Sequence, residues 1–366
     1  MSRSSANHDL FVPGSEAYPR PIQPRPIVTV GAGGIVRDAH LPAYQKAGFP
    51  VIGILDTDHE RAAALAKQWH IGKSFGSLDE LVKYSPRDVV FDIAVPASAL
   101  KNILPNLPNE ATVLMQKPMG ETLGEAKIIR EICRRKRFIT AVNFSQRYSP
   151  NNLAMRALHD SGKLAEIHDF QVQVRVFTPW HLWAFLSTAP RLEILYHSIH
   201  YFDLIRSWLG NPTSVYARTV KDPAYKELAA TKTVAILDYG EGKRVFVATH
   251  HGHNFGLRHQ ESYIQIEGTE GAGRMKMGVL LGYPIGQPDS VEYSKRGTDA
   301  WIDVPIAGNN FPDGFMGSMG ALQAFAEGSA ATLPCHYEDG YETMALVEAL
   351  YRSSMSTGEP LELGIT

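Results

Sequence analysis

The chain has 366 residues, of which 44% are hydrophobic and 20% charged, and its formal net charge is −2. That length is long for one core and implies two domains, while the balanced charge excludes a globally basic nucleic-acid binder. Two cysteines, Cys133 and Cys335, are too few for a disulfide framework and lack zinc-type spacing, and no apolar stretch approaches the ~20 residues of a membrane span.

Residues 1–24 are polar, carry four prolines and lack an apolar signal region, so they read as a flexible arm and a cytoplasmic location is expected. From residue 26 to about 143 short apolar runs alternate with helical patterns, as in a doubly wound parallel sheet. Ile27-Val-Thr-Val30 is the first strand and ends in Gly31-Ala-Gly-Gly-Ile-Val36. A helix over 39–47 follows, then the strand Val51-Ile-Gly-Ile-Leu55, stopped by Asp56. The next helix spans 60–69 with Thr57 or Asp58 as cap, and a short one opens at Ser77. Residues 89–95 form a buried strand ended by Pro96; further strands lie at 112–117 and 138–142, separated by a helix over 123–135.

After Arg147-Tyr-Ser-Pro150 the rhythm changes. A helix over 151–161 and a long alternating strand over 167–177 lead through a Trp-, His- and Pro-rich loop to a helix near 193–209. From 214 to about 305 the pattern is mostly period-2, which indicates a largely antiparallel sheet. Two helices, near 320–327 and 341–355, close the fold. The expected organisation is an arm over 1–24, a dinucleotide-binding Rossmann domain over 25–145, and an α/β domain with a large open-faced sheet over 146–366.

Gly31 and Gly33 match the first two glycines of a dinucleotide fingerprint: one permits the tight turn, the other lets backbone N–H groups approach a pyrophosphate. Val36 replaces the third glycine and should widen helix–strand packing. Asp56 stands 23 residues after Gly33 at the end of the second strand, where an acid holds the adenosine ribose hydroxyls. A carboxylate there repels a 2′-phosphate, so NAD is favoured, and Arg37 keeps NADP open. A purely structural turn with a capping Asp is the competing reading.

Lys117 precedes Pro118, which holds it extended at a strand end, and active sites in open parallel sheets lie beyond such carboxyl edges. Its ammonium can stabilise a developing alkoxide. In the helix Leu192-Glu-Ile-Leu-Tyr-His-Ser-Ile-His-Tyr-Phe-Asp-Leu204, about 100° per residue puts Glu193, Tyr196, His200 and Asp203 on one side, with Leu195, Ile199 and Phe202 facing the core. His200 can accept a proton near neutral pH, and Tyr196, one turn earlier, could share or relay it. Thr249-His-His-Gly-His253 invites a metal reading, but only His251 and His253 share a strand face and no acid pair completes a set, so no metal is expected.

Taken together, Gly31-x-Gly-Gly-Ile with His40-Leu-Pro, Asp56, Lys117-Pro118, Arg147-Tyr-x-Pro150, His200-x-x-Asp203 and the closing Gly358-Glu-Pro-Leu resemble the Gfo/Idh/MocA oxidoreductases over nearly all the chain after the arm. The resemblance implies an N-terminal Rossmann domain, a C-terminal domain whose open sheet mediates a homodimer or homotetramer, Lys117 as the catalytic lysine and His200 as acid/base. Expected cofactor contacts are Gly31, Gly33, Gly34, Ile35, Asp56, Val95, Pro96, Gln116 and Lys117. Expected substrate contacts are Arg147, Trp180, His181, Arg191, Glu193 and His197, a set with aromatic faces and hydroxyl-binding groups that suits a sugar or cyclitol. Three positions depart from the family pattern: Gln116 replaces a Glu, Tyr196 an Asp, and Leu100 a His. The expected activity is NAD(P)-linked hydride transfer at a secondary alcohol or ketone of a sugar or polyol. The alternatives are an NAD-dependent glycosidase working by transient oxidation and elimination, and a catalytically silent NAD(P)-binding sensor.

Overall fold

The computed structural model describes residues 18–356 apart from 284, together with 358. Most of the Gly358-Glu-Pro-Leu segment and of the arm lies outside the described residues. Two sheets organise the rest. Six parallel strands stand in the order β3-β2-β1-β4-β5-β6: β1 (Ile27–Val30), β2 (Val51–Leu55), β3 (Lys73–Phe75), β4 (Val90–Ile93), β5 (Thr112–Gln116) and β6 (Ile139–Asn143). The order reverses direction between β1 and β4, where the crossovers pass from one face to the other, and this leaves a crevice at the carboxyl ends of these strands. The helices between them are α1 (Leu41–Ala47), α2 (His59–Gln68), α3 (Leu78–Tyr84), the single turn α4 (Leu100–Ile103) and α5 (Leu123–Lys136). Asp58 caps α2 by accepting from Arg61 N at 3.0 Å, and Ser77 caps α3 in the same way from Glu80 N at 3.2 Å.

After α6 (Pro150–Asp160) and β7 (Ile167–Arg175) comes a helical run ending in α7 (Ile199–Leu209). Then follow β8 (Ser214–Val220), β9 (Lys232–Asp238), β10 (Arg244–His250), β11 (Glu261–Gly268), β12 (Gly271–Lys276), β13 (Ser290–Lys295) and β14 (Ile302–Val304). They join β7 in an eight-stranded sheet of order β14-β13-β12-β11-β7-β10-β9-β8, antiparallel except where β10 pairs with β7. Two helices, α8 (Asn310–Glu327) and α9 (Tyr337–Met355), then return to the first sheet: α8 packs on α1, β5 and β6, and α9 lies between α5 and β8.

Two expectations shift for physical reasons. The strand β3, only three residues long, gives too short a pattern to be read from sequence. Helix α8 begins ten residues before the expected start at 320 because its early turns are rich in glycine, which argues against helix locally. Those glycines are dictated by packing: a Cβ on Gly317 would sit 2.3 Å from the Tyr148 Cβ, and one on Gly314 2.5 Å from Ser145 O. The described end of the arm is tied to the same helix, with Ile22 N donating to Glu327 Oε1 at 2.6 Å and Arg25 N to Gln323 Oε1 at 2.7 Å. Among the described residues no helix is long and apolar enough to cross a membrane.

Candidate active site

The glycine turn sits at the carboxyl end of β1. Gly31 adopts φ +111°, and a Cβ there would lie 2.2 Å from Ala94 O, so only glycine lets the turn pass beneath the end of β4. A Cβ on Gly33 would meet nothing within 4 Å, so the backbone there faces open space. Val36 is fully buried, and the chain accommodates it with a wide π-type turn over Val36–His40 before α1. Asp56 closes the turn from below: its Oδ2 accepts from Ala32 N at 2.6 Å and its Oδ1 from Asp58 N at 2.8 Å and Arg61 Nη2 at 2.7 Å. Burial opposes ionisation of this carboxyl, but the two backbone N–H groups and the guanidinium outweigh it and hold its pKa below the ordinary range. Arg37, the residue that kept NADP open, is engaged by Asp38 at 2.6 and 2.8 Å. Gly34 is exposed; Ile35 and Val95 are half-buried and Pro96 exposed at the end of β4. Gln116, also half-buried, accepts from Asn143 Nδ2 at 3.0 Å. A turn that excludes side chains, an open backbone beyond it and an ionised acid below it fit a dinucleotide.

Lys117 leaves β5 through a cis peptide to Pro118, and its Nζ donates to Tyr196 O at 2.6 Å. Burial pushes the ammonium down to about 8. The helix that carries Tyr196 is not the uniform spiral expected. Glu193–Ser198 form a π-type turn and only Ile199–Leu209 are α-helical; such insertions cluster at functional sites. The extra residue rotates everything before Ser198. The expected single polar stripe is therefore divided, and most of the helix is buried on all sides.

Each member of that stripe has its own environment. The Tyr196 phenol donates to Glu121 Oε1 at 3.0 Å, and burial, then the Glu121 charge, raise its pKa well above the usual phenol range. Glu193 is fully buried, faces His251 and accepts from Ser198 Oγ. Asp203 is held by Arg147 at 2.6 and 2.7 Å, and Arg147 also reaches Asp339 Oδ2 at 2.5 Å. His197 lies in the π-type turn and His200, three residues on, in the first turn of α7. Burial drives both imidazoles well below their ordinary pKa, and the Lys117 charge adds to that shift in each, so the three groups are electrostatic neighbours. His200 Nδ1 is buried and has no hydrogen-bond partner among the described residues.

The remaining expected substrate contacts separate. Trp180 is buried with its ring 4.8 Å from that of His197, and its Nε1 lacks a partner among the described residues. His181, the next residue, is exposed. Arg191 is turned toward α9, bound to Glu348 at 2.7 and 3.2 Å and stacked 4.6 Å from the Tyr351 ring centroid. Arg147 has its guanidinium committed to the ion pairs that join α7 and α9. The structure thus brings Lys117, the Tyr196 carbonyl, His197 and His200 together, while the guanidinium groups of Arg147 and Arg191 are engaged by carboxylates and His181 is exposed.

Residues 26–144 match the oxidoreductase-family NAD-binding Rossmann fold, and residues 158–363 match the C-terminal alpha/beta domain of the same family. The chain belongs to the Gfo/Idh/MocA oxidoreductase family. Members with similarity over most of the chain include a 1,5-anhydro-D-fructose reductase from Ensifer adhaerens, 24% identical over 91% of this chain and 97% of its own length. A D-apiose dehydrogenase from Rhizobium rhizogenes is 24% identical over 87% and 91%. Among solved structures, an Agrobacterium radiobacter oxidoreductase in complex with NAD+, L-tartaric acid and magnesium superposes with a TM-score of 0.75 at 20% identity, covering 91% of this chain and 96% of that one. The protein is an oxidoreductase with an NAD-binding Rossmann domain.

Within this family member three site neighbours escape sequence reasoning. Glu121 lies four residues past Lys117 in a turn with no periodic signal. Thr178 sits in the irregular segment before Trp180. His251 follows the end of β10 and faces inward, where its Nδ1 meets Thr178 Oγ1 at 2.9 Å. The histidine-rich run drew attention in the sequence, but its inward member could be found only once the two sheets and the π-type turn were placed against each other.

Proposed function

We propose that the protein is an NAD-linked dehydrogenase or reductase acting at a secondary alcohol or ketone carbon of a sugar, cyclitol or related polyol. The observation that carries this reading is the bond from Lys117 Nζ to Tyr196 O, 2.6 Å, because it ties the carboxyl edge of β5 to the helix bearing His200. Gly31 and Gly33 would seat the pyrophosphate and Asp56 the ribose hydroxyls, with Val95, Pro96 and Gln116 bordering the ring. Bound there, the nicotinamide supplies the hydride acceptor or donor.

The chain's own groups manage the proton. An ammonium has three donors; Lys117 gives one to Tyr196 O and has two for the reacting oxygen, whose developing charge it stabilises. His200 is neutral at neutral pH, and its unpartnered Nδ1 takes the hydroxyl proton during oxidation or returns it during reduction. Tyr196, at the position where the family pattern has an acid, contributes its main-chain carbonyl rather than its phenol, which Glu121 holds. Trp180 and His197 present an aromatic edge and an imidazole to the substrate. Curated relatives named for 1,5-anhydro-D-fructose and D-apiose support a carbohydrate substrate. NADH absorbance over a panel of sugars, cyclitols and polyols tests the reading; no turnover with any of them, despite NAD binding, would reject it.

The exposed face of the eight-stranded sheet carries Tyr216, Val234 and Ile236, each more than half exposed. A row of that kind supports self-association through this face, which sedimentation of the purified protein measures. The division into an arm, a cofactor unit over 25–145 and a substrate unit over 146–366, in a cytoplasmic protein, belongs to the same reading.

A further inference from the structure

His251 and Glu193 are both fully buried, 3.4 Å apart from Nε2 to Oε1, and neither takes part in the chemistry above. His251 N donates to Thr231 O at 3.1 Å, and Thr178 N donates to His251 O at 3.0 Å. One nitrogen is tethered directly: Nδ1 meets Thr178 Oγ1 at 2.9 Å, while Nε2 lies at ion-pair distance, 3.4 Å, from Glu193 Oε1, which accepts from Ser198 Oγ. Burial opposes the Glu193 charge, but His251 and the Ser198 hydroxyl outweigh it and keep the acid ionised. This ring packs against His197 at a tilt of 51°, with centroids 4.7 Å apart, while Trp180 meets both rings edge-on at 4.8 and 5.7 Å. An ionised acid kept in the interior to hold an imidazole that touches no solvent needs a reason, and the ring it supports is the one beside Lys117 and His200.

We propose that His251, locked between Thr178 and Glu193, is a positioning residue that clamps His197 against Trp180 and holds it in register with the Lys117–His200 pair. The inference rests on the proposed function for what His197 meets, but not for the clamp itself. Three groups from other elements bear on His197: His251 after β10, Lys117 after β5 and His200 on α7. Burial is the main cause that opposes its protonation, and the charges of all three add to it. The clamp therefore fixes where the ring stands and adds to the burial that keeps it neutral, so that one of its nitrogens can accept from a hydroxyl.

The test uses the full chain and two independent readouts. Imidazole NMR titration should show wild-type His197 neutral well below the ordinary pKa of about 6.5, and H251F should raise its midpoint by about one pH unit. With an active polyol, H251F should raise KM about tenfold with a smaller change in kcat, since misplacement of a positioning group costs up to ~10²-fold. NAD affinity should not change. H251Q, whose amide can still accept from Thr178 and donate to Glu193, should restore most of the lost KM. E193Q should displace the His197 ring resonances and raise KM by a smaller factor, and it decides the matter if H251F does not fold. An unmoved His197 resonance in E193Q together with an unchanged midpoint in H251F would overturn the clamp, as would parallel loss of kcat and NAD binding. If the His197 signals move as expected but wild type oxidises no polyol, the proposed function fails and the clamp stands.

Discussion

The two sheets make opposite bargains with water. In the six-stranded sheet β1 and β4 are buried along their whole length, because helices cover both faces. In the eight-stranded sheet β8 and β9 alternate between half-buried or buried and exposed positions, because helices cover one face only. The contrast teaches where function can be put. A sheet buried on both sides offers only the carboxyl ends of its strands, so the glycine turn, Asp56 and Lys117 all collect at one edge. A sheet with one open face can spend that face on association, and its covered face can carry a buried polar cluster such as His251 and Glu193.

Four experiments sharpen that contrast, and the largest effect should come from the edge of the buried sheet. K117A should lower turnover by about 10²–10⁴-fold while NAD affinity, measured by fluorescence titration, stays nearly unchanged. Unchanged turnover would remove Lys117 from the chemistry. With its ammonium near 8, wild-type activity that depends on the charged form should fall as pH rises through that value; K117R, always charged, should lose this alkaline limb.

Next comes G31A, which forces a Cβ into Ala94 O and should cost about 2–4 kcal/mol in chemical denaturation and abolish NAD binding. A third effect is acid sensitivity. His197 and His200 resist protonation when folded but bind protons at about pH 6.5 when unfolded, so stability is full above that pH and is lost as pH falls below it. The slope is at most about 1.4 kcal/mol per pH unit for each group, and thermal melts from pH 7 to 5 measure it. The smallest change is I236S on the open face, expected within about 0.5 kcal/mol on stability but weakening any self-association seen by sedimentation. A large loss of stability instead would show that this face is part of the core.

The sequence was most informative where the signal is local. Strand, glycine turn, strand and terminal acid follow one another within thirty residues, and each is a consequence of short-range sterics. Lys117 was equally legible, since a proline after a strand-end lysine leaves it little conformational choice. The helix at 193–209 was read with one uniform period. The π-type turn before Ser198 broke that period, so Glu193 and Asp203 went to separate buried networks instead of a shared polar stripe. Arg147 and Arg191, expected as substrate contacts from the family resemblance, are both engaged by carboxylates. Their carboxylate partners, Asp203 with Asp339 and Glu348, come from helices distant in the chain.

By itself, then, the order of residues determined the strand alternation, the glycine turn and the lysine at the strand edge, because each depends on dihedral preferences and side-chain period over a few positions. Tertiary structure alone decided which histidine packs on His197, where the helix changes its winding and which acids are spent on ion pairs. Those outcomes depend on which buried polar groups find partners, and the partners lie up to 192 residues apart.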